Sequence, residues 1–335
     1  MIDKGEYTMK EKLTALLKEN FSEIDFTESD ALVDDGILES MTLVEIIATI
    51  ALELHHHPLR RGHPPELQLH RRHGGHAGKA GRSMMTLVDA LYRNNAEQPD
   101  KVALIFRDQQ VTYGQLLEQA ALLGGYLQAK GIHPGDRVML TGASRPEYVI
   151  ALLAVQFVGG VTVPVDRNPL KTTLAYIAQL TDAKLYLSTN KKVPDGLPYE
   201  RYTDALEAAN TLGEKAVPPT EDPDRIAELL FTTGTTGRPK GATHTLRCIS
   251  ANMHNTYTGI GMRSDDILLL PLPLNHSFGM RVLRAMLWAG GTIVLQNGFG
   301  FGRETELNIH QHHCTAMACV PASMDLMLQQ MGDDR

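Results

Sequence analysis

The chain has 335 residues, 43% of them hydrophobic and 21% charged, with a formal net charge of -7. That length allows about two domains with a sizeable core, and the acidic balance argues against nucleic acid as the main partner. No apolar stretch reaches the roughly 18 residues of a membrane-spanning helix, and the N-terminus is polar and acidic rather than signal-like.

The first predicted element is an amphipathic helix over Met9–Phe21, with Leu13, Leu16, Leu17 and Phe21 on one face. A polar loop follows, then the run Asp34-Asp-Gly-Ile-Leu-Glu-Ser-Met-Thr-Leu-Val-Glu-Ile-Ile47. Ser40 stands at a helix start, with Leu43, Ile47, Ile50 and Leu54 at helical spacing behind it. A serine there caps a helix by accepting a backbone N–H bond. The acidic residues, Gly-Ile-Leu and the Ser-Met pair also resemble acyl and peptidyl carrier proteins, small helical bundles bearing a phosphopantetheine arm. Glu39 stands where that family usually has Asp. The resemblance implies phosphopantetheine on Ser40, a phosphopantetheinyl transferase as partner, and an arm whose thiol accepts acyl groups. The two roles of Ser40 are compatible.

Between His55 and Ser83 the chain changes character. Seven histidines (His55, His56, His57, His63, His70, His73 and His76) mix with Arg, Gly and Pro, and only Glu66 is acidic. A histidine metal site lacks a helix frame to orient its imidazoles, and a basic linker is the plainer account. The codon table supports a third. Histidine is CAY, so His55-His56-His57-Pro58 read one nucleotide later gives AYC three times, Ile or Thr at each position. His73 and His76 become Met or Thr, and Lys79 becomes Lys or Arg. Met84-Met85 becomes a forced TGA stop. We therefore expect residues 55–83 to be the product of a frameshift near Ala51–Leu54 that joins two overlapping genes. The expected organisation is an incomplete carrier-like segment over 1–54, this joint, and a second domain over 84–335. Helices with one open apolar face bury too little to form a stable core.

Farther on, strands are predicted within Gly135–Thr141, Val161–Asp166 and Lys184–Ser188, with an apolar helix opening at Arg145-Pro-Glu147 and running to Gly159-Gly160. Short β-branched runs alternating with helix-length apolar stretches argue for parallel strands with crossover helices. Ala227–Phe231 reads as a buried strand, and a helical pattern follows from about His244. Between them lies Phe231-Thr-Thr-Gly-Thr-Thr-Gly-Arg-Pro-Lys-Gly241. Its glycines, Gly234, Gly237 and Gly241, let backbone approach a ligand closely. The hydroxyls of Thr232, Thr233, Thr235 and Thr236 and the exposed N–H groups can bond phosphate oxygens, and Lys240 adds a mobile positive charge. The lysine is not followed by Ser or Thr, so this is not the Walker pattern.

Leu229–Lys240 resembles the phosphate-loop signature of the AMP-forming adenylating enzymes: acyl-CoA synthetases, peptide-synthetase adenylation domains and luciferases. The likeness extends over about Met84–Arg335. It implies a doubly wound α/β fold with mostly parallel sheets, here preceded by the all-α carrier-like fragment. It also implies that Thr232, Thr233, Gly234, Thr235, Thr236, Gly237 and Lys240 hold ATP phosphates, with Mg²⁺, while a carboxylate attacks the α-phosphorus. Pro271-Leu-Pro-Leu-Asn-His-Ser-Phe-Gly279 matches the family's next signature, in which His276 would line the acyl and adenylate site. Its plainer role is a capping or core histidine at a helix start. The family's further motifs, including a mobile lid with a catalytic lysine, are expected beyond Arg335 and would make this chain a fragment lacking full catalysis.

The implied activity is activation of a carboxylic acid to acyl-AMP, then transfer to a thiol of CoA or of a carrier's phosphopantetheine. The rivals are a P-loop hydrolase and a carrier or nucleotide-binding module without turnover. Gly298-Phe-Gly-Phe-Gly302 reads as a surface turn or a ligand wall. Cys248, Cys314 and Cys319 lack metal-ligand spacing and read as free buried thiols in a reducing compartment, so the expected location is the cytoplasm.

Overall fold

In the computed structural model the chain divides into two units, Met1–Gly81 and Arg82–Arg335. The structure describes residues 85–142, 144–189, 193, 195–219, 222–232, 239–298, 302–321 and 323. The helix expected at Met9–Phe21, Ser40 with its helix, and the 55–83 joint all lie outside the described residues.

The second unit opens with helix α1 (Leu87–Glu97), set by a capping box. The Thr86 hydroxyl accepts from the Asp89 amide, and the Asp89 carboxylate accepts from the Thr86 amide. Strands β1 (Val102–Phe106) and β2 (Gln109–Thr112) pair antiparallel. Thr112 and Gln115 repeat the capping box at α2 (Tyr113–Ala129). Next come β3 (Arg137–Thr141), α3 (Pro146–Phe157), β4 (Val161–Val165), α4 (Lys171–Thr181) and β5 (Leu185–Ser188). Proline at the first turn of α3 suits a position whose N–H needs no helical partner. Every residue of α3 except Glu147 is buried, as its unbroken apolar run requires.

The chain continues through β6 (Tyr199–Arg201), α5 (Tyr202–Leu212), β7 (Ile226–Thr232), β8 (Lys240–Thr245) and α6 (Leu246–Ile260). It closes with β9 (Ile267–Leu270), α7 (Ser277–Ala289), β10 (Thr292–Leu295), α8 (Gly302–His312) and β11 (Ala316–Met317). Two sheets result, ordered β11-β9-β10-β1-β2 and β6-β5-β3-β4-β7-β8. In each, only the hairpin strand at one edge, β2 or β8, runs antiparallel. The chain therefore starts in one sheet, builds the other, and returns.

Strand alternation decides which side chains meet which layer. Val138, Leu140, Leu185 and Leu187 of one sheet and Leu104, Leu268, Leu270, Ile293 and Leu295 of the other join a single core with α1, α2, α3, α5 and α7. The opposite face of the larger sheet, with Met139, Val163, Val165 and Tyr186, is covered by Leu174 and Ile177 of α4. Ile105, Leu269 and Val294 of the other pack near Ile309 of α8. Both sheets are thus wound with helices on both faces, as expected. Each fully buried aliphatic side chain contributes about 1.5–3 kcal/mol to this core.

Three expectations are corrected. The helix expected from about His244 begins at Leu246, because Lys240–Thr245 forms β8 and Thr245 caps the helix by accepting from the Cys248 amide. The strand expected at Met317–Val320 from its apolar run lies instead at Ala316–Met317, set by its pairing with Leu268 and Leu269. Cys248 is exposed, since it falls on the outer face of α6, while Cys314 and Cys319 are half-buried. Burial pushes the Cys314 thiol up to about 11.

Candidate functional site at the carboxyl ends of the two sheets

Ligands of parallel α/β sheets bind in the crevice outside the carboxyl ends of the strands. In the larger sheet those ends carry Gly142 after β3, Asp166 after β4 and the 233–238 run after β7. In the smaller sheet they carry Pro271–His276 after β9 and Gln296-Asn297 after β10.

Hydrogen bonds join these ends. Asn275 Nδ2 donates to Asp166 Oδ1 at 2.6 Å. The Ser144 amide donates to Asn297 Oδ1 at 2.8 Å, and the Ser144 hydroxyl to the Leu272 carbonyl at 3.4 Å. Tyr148 of α3 donates its buried hydroxyl to the Leu274 carbonyl at 3.2 Å. Burial pushes that phenol well above its usual range, so it stays a donor. The loop that carries His276 is therefore held from α3, from β4 and from the end of β3.

Thr162 of β4 lies opposite Glu228 of β7 in a parallel register. β7 is thus the sheet neighbour of β4, and the threonine–glycine run follows β7 in the chain as Asp166 follows β4. Thr232 in turn pairs with Lys240 across the β7–β8 hairpin. Lys240 is exposed at the hairpin's mouth. Thr233, Gly234, Thr235, Thr236 and Gly237, and the side chain of Thr232, lie outside the described residues. The β7–β8 pairing thus brings Thr232 and Lys240 together in the strand pair next to β4, and Asp166, which follows β4, is bonded to the neighbour of His276.

His276 is the N-cap residue of α7, with extended backbone, yet its ring makes no cap hydrogen bond and is exposed. Capping does not occupy the imidazole. Gly279 answers a close approach, because a Cβ there would overlap the Pro273 carbonyl oxygen. Gly241 sits against the ring of its cross-strand partner Phe231, where a Cβ would come within 3.1 Å.

A buried charge cluster that the sequence did not single out lies behind the hairpin. Glu228 accepts hydrogen bonds from both terminal guanidinium nitrogens of Arg284 on α7, and His244 Nδ1 lies 3.1 Å from the same carboxylate. Burial pushes the Glu228 carboxyl up, but Arg284 first and His244 second more than reverse this and hold it at about 2. The sequence signal was one charge in each of two apolar runs, Ala227–Phe231 and Val282–Leu287, since buried charges need partners.

Magnesium binds nucleotide phosphates with only one or two protein carboxylates. Among the described residues no group of three or more His, Cys, Asp or Glu side chains could hold a metal ion. No helix among them is long and apolar enough to cross a membrane.

A sequence model described as "AMP-binding enzyme" matches residues 91–335. The chain is 31% identical over 258 residues to phenyloxazoline synthase MbtB of a Mycobacterium species, covering 76% of this chain and 22% of that protein. It is 30% identical over 209 residues to 2-succinylbenzoate–CoA ligase of Bacillus licheniformis, covering 60% and 43%. The chain spans less than half the length of these curated relatives. The N-terminal subdomain of Klebsiella oxytoca NpsA, solved with 3-hydroxybenzoyl-AMSN, superposes with a TM-score of 0.64 at 24% identity, over 69% of this chain and 59% of that one, and so shares the fold. The match over residues 91–335, the parallel sheets and the threonine–glycine hairpin together show that the chain belongs to the family of AMP-binding enzymes.

Proposed function

We propose that this domain binds ATP and activates a carboxylic acid as an acyl-AMP, releasing pyrophosphate, and that the acyl group then passes to a thiol. The carrying observation is the Asn275–Asp166 bond at 2.6 Å, which ties the His276 loop to the strand end beside the β7–β8 hairpin. Similarity to a phenyloxazoline synthase and to a CoA ligase supports acid activation as the chemistry.

In this reading Thr232, Thr233, Gly234, Thr235, Thr236 and Gly237 donate hydrogen bonds to the β- and γ-phosphates, and Lys240 neutralises their charge. Preorganised donors of this kind stabilise charge as it develops in the transition state. His276, free of capping, borders the acyl group and the adenylate. A magnesium ion would arrive with the nucleotide and offset phosphate charge when bound. The thiol is that of CoA or of a phosphopantetheine arm, with Ser40 as the attachment point in this chain if its segment is a carrier. The cytoplasm, where ATP and free thiols are both abundant, is the proposed location.

Isotope exchange between pyrophosphate and ATP, run with a panel of carboxylic acids, tests this. At least one acid is expected to stimulate exchange. No exchange with any acid, together with tight ATP binding, would leave a nucleotide-binding module instead.

A further inference from the structure

The pair Glu228–Arg284 is buried between the β7–β8 strand pair and α7, with the half-exposed His244 at its outer side. Glu228 and Arg284 are only 2% and 5% exposed. Arg284 Nη1 donates to Glu228 Oε1 at 3.3 Å, Nη2 donates to Oε2, and Arg284 Nε has no hydrogen-bond partner. Glu228 and His244 face each other across the hairpin, beside a register shift between Ile226 and Glu228. A shift of this kind bends a strand pair and re-aims what it carries. Beyond it the hairpin runs to Thr232 and Lys240, at either side of the 233–238 segment. Arg284 lies two turns along the helix that His276 caps.

A buried ion pair is a weak source of stability, because apolar residues of similar volume often serve as well. What the fork of Arg284 supplies is direction. Two parallel bonds fix the carboxylate's position and orientation, which a greasy contact does not. We propose that Arg284 and Glu228 are positioning residues: they lock the β7–β8 strand pair onto α7, so that the strand ends at Thr232 and Lys240 are held in fixed relation to His276 at the start of that helix. Glu228, held as a carboxylate by Arg284 and His244, keeps this lock closed across the neutral range. The inference rests on the ATP-binding reading of the hairpin.

The test compares the full chain with Glu228→Gln, Arg284→Met and the apolar double variant Glu228→Met with Arg284→Met. Amide hydrogen exchange is followed in β7 and β8, with β3 and β10 as internal references, and ATP affinity is measured by calorimetry. Both single variants are expected to lose thermal stability, since each strands a buried group. The double variant is expected to regain it while remaining slack: hairpin amides exchange about ten-fold faster with β3 and β10 unchanged, and ATP binds about ten- to a hundred-fold more weakly. If the double variant recovers hairpin protection or ATP affinity along with its stability, the cluster is only structural and the proposal is overturned. Should the double variant not fold, Glu228→Gln decides by the same comparison of hairpin against reference strands. If the unaltered chain binds no ATP, the functional reading falls, and hairpin exchange alone still decides the lock.

Discussion

Lys240 and Glu228 show opposite ways in which one charge serves this domain. Lys240 is exposed, so Lys240→Ala is expected to change the stability by no more than a surface substitution does, about 0.5 kcal/mol. Adenylate formation should fall by about a hundred-fold, the usual cost of removing one transition-state donor. Exchange kinetics beside a thermal melt would show the two effects separately. Glu228 is buried and its folded pKa, about 2, lies below its ordinary value of 4.5. Its stabilising contribution is therefore fully present above the unfolded value and is lost as pH falls toward the folded one. Denaturant midpoints of the unaltered chain and Glu228→Gln, taken from pH 6 down to low pH, should converge below about pH 4.5. A constant gap down to pH 3 would contradict the assignment. Gly279→Ala places a methyl against the Pro273 carbonyl and should cost about 1–3 kcal/mol, as overpacking does. A urea titration would measure that.

Among the elements, those with a strong local signal were legible in the sequence. The apolar run after Pro146 read as a helix, and the structure buries it all round, while the strands at Arg137–Thr141, Val161–Val165 and Leu185–Ser188 stood out as short apolar stretches between turns. Strand β8 was misread as loop and helix. Its Lys-Gly-Ala-Thr-His-Thr carries no apolar alternation, and it sits at a sheet edge with most of its side chains exposed. Only pairing with β7 makes it a strand, and pairing is a tertiary fact. The capping boxes were present in the sequence as Thr-x-x-Asp and Thr-x-x-Gln. Thr112→Ala is expected to cost about 1 kcal/mol of stability, read from the shift in unfolding midpoint.

At the scale of the molecule, sequence reading reached the fold and the hairpin's motif but not the links between sheets. Asn275 and Asp166 are 109 residues apart and Glu228 and Arg284 are 56 apart, far outside any periodic window. The loop of His276 stood out by its Pro-Leu-Pro-Leu-Asn-His pattern, while the residues bonded to it, Ser144 and Tyr148, are ordinary in composition. Among the described residues the core clusters lie within residues 87–320, and Arg82–Arg335 is a compact unit in itself, so that polypeptide made alone should unfold in one cooperative transition, read by a thermal melt. The proposed frame slip is checked separately: resequencing the DNA should reveal a frame open from near codon 51 to a TGA at Met84-Met85.

The claim that this fold activates acids at the α-phosphorus is tested most directly by oxygen transfer. The full chain would be incubated with ATP, hydroxylamine as acyl trap, and acids labelled with ¹⁸O in the carboxylate. Attack on the α-phosphorus leaves one carboxylate oxygen on the phosphate once the acyl group departs, so AMP carrying one ¹⁸O is predicted. Unlabelled AMP, or ADP in place of AMP, would contradict it.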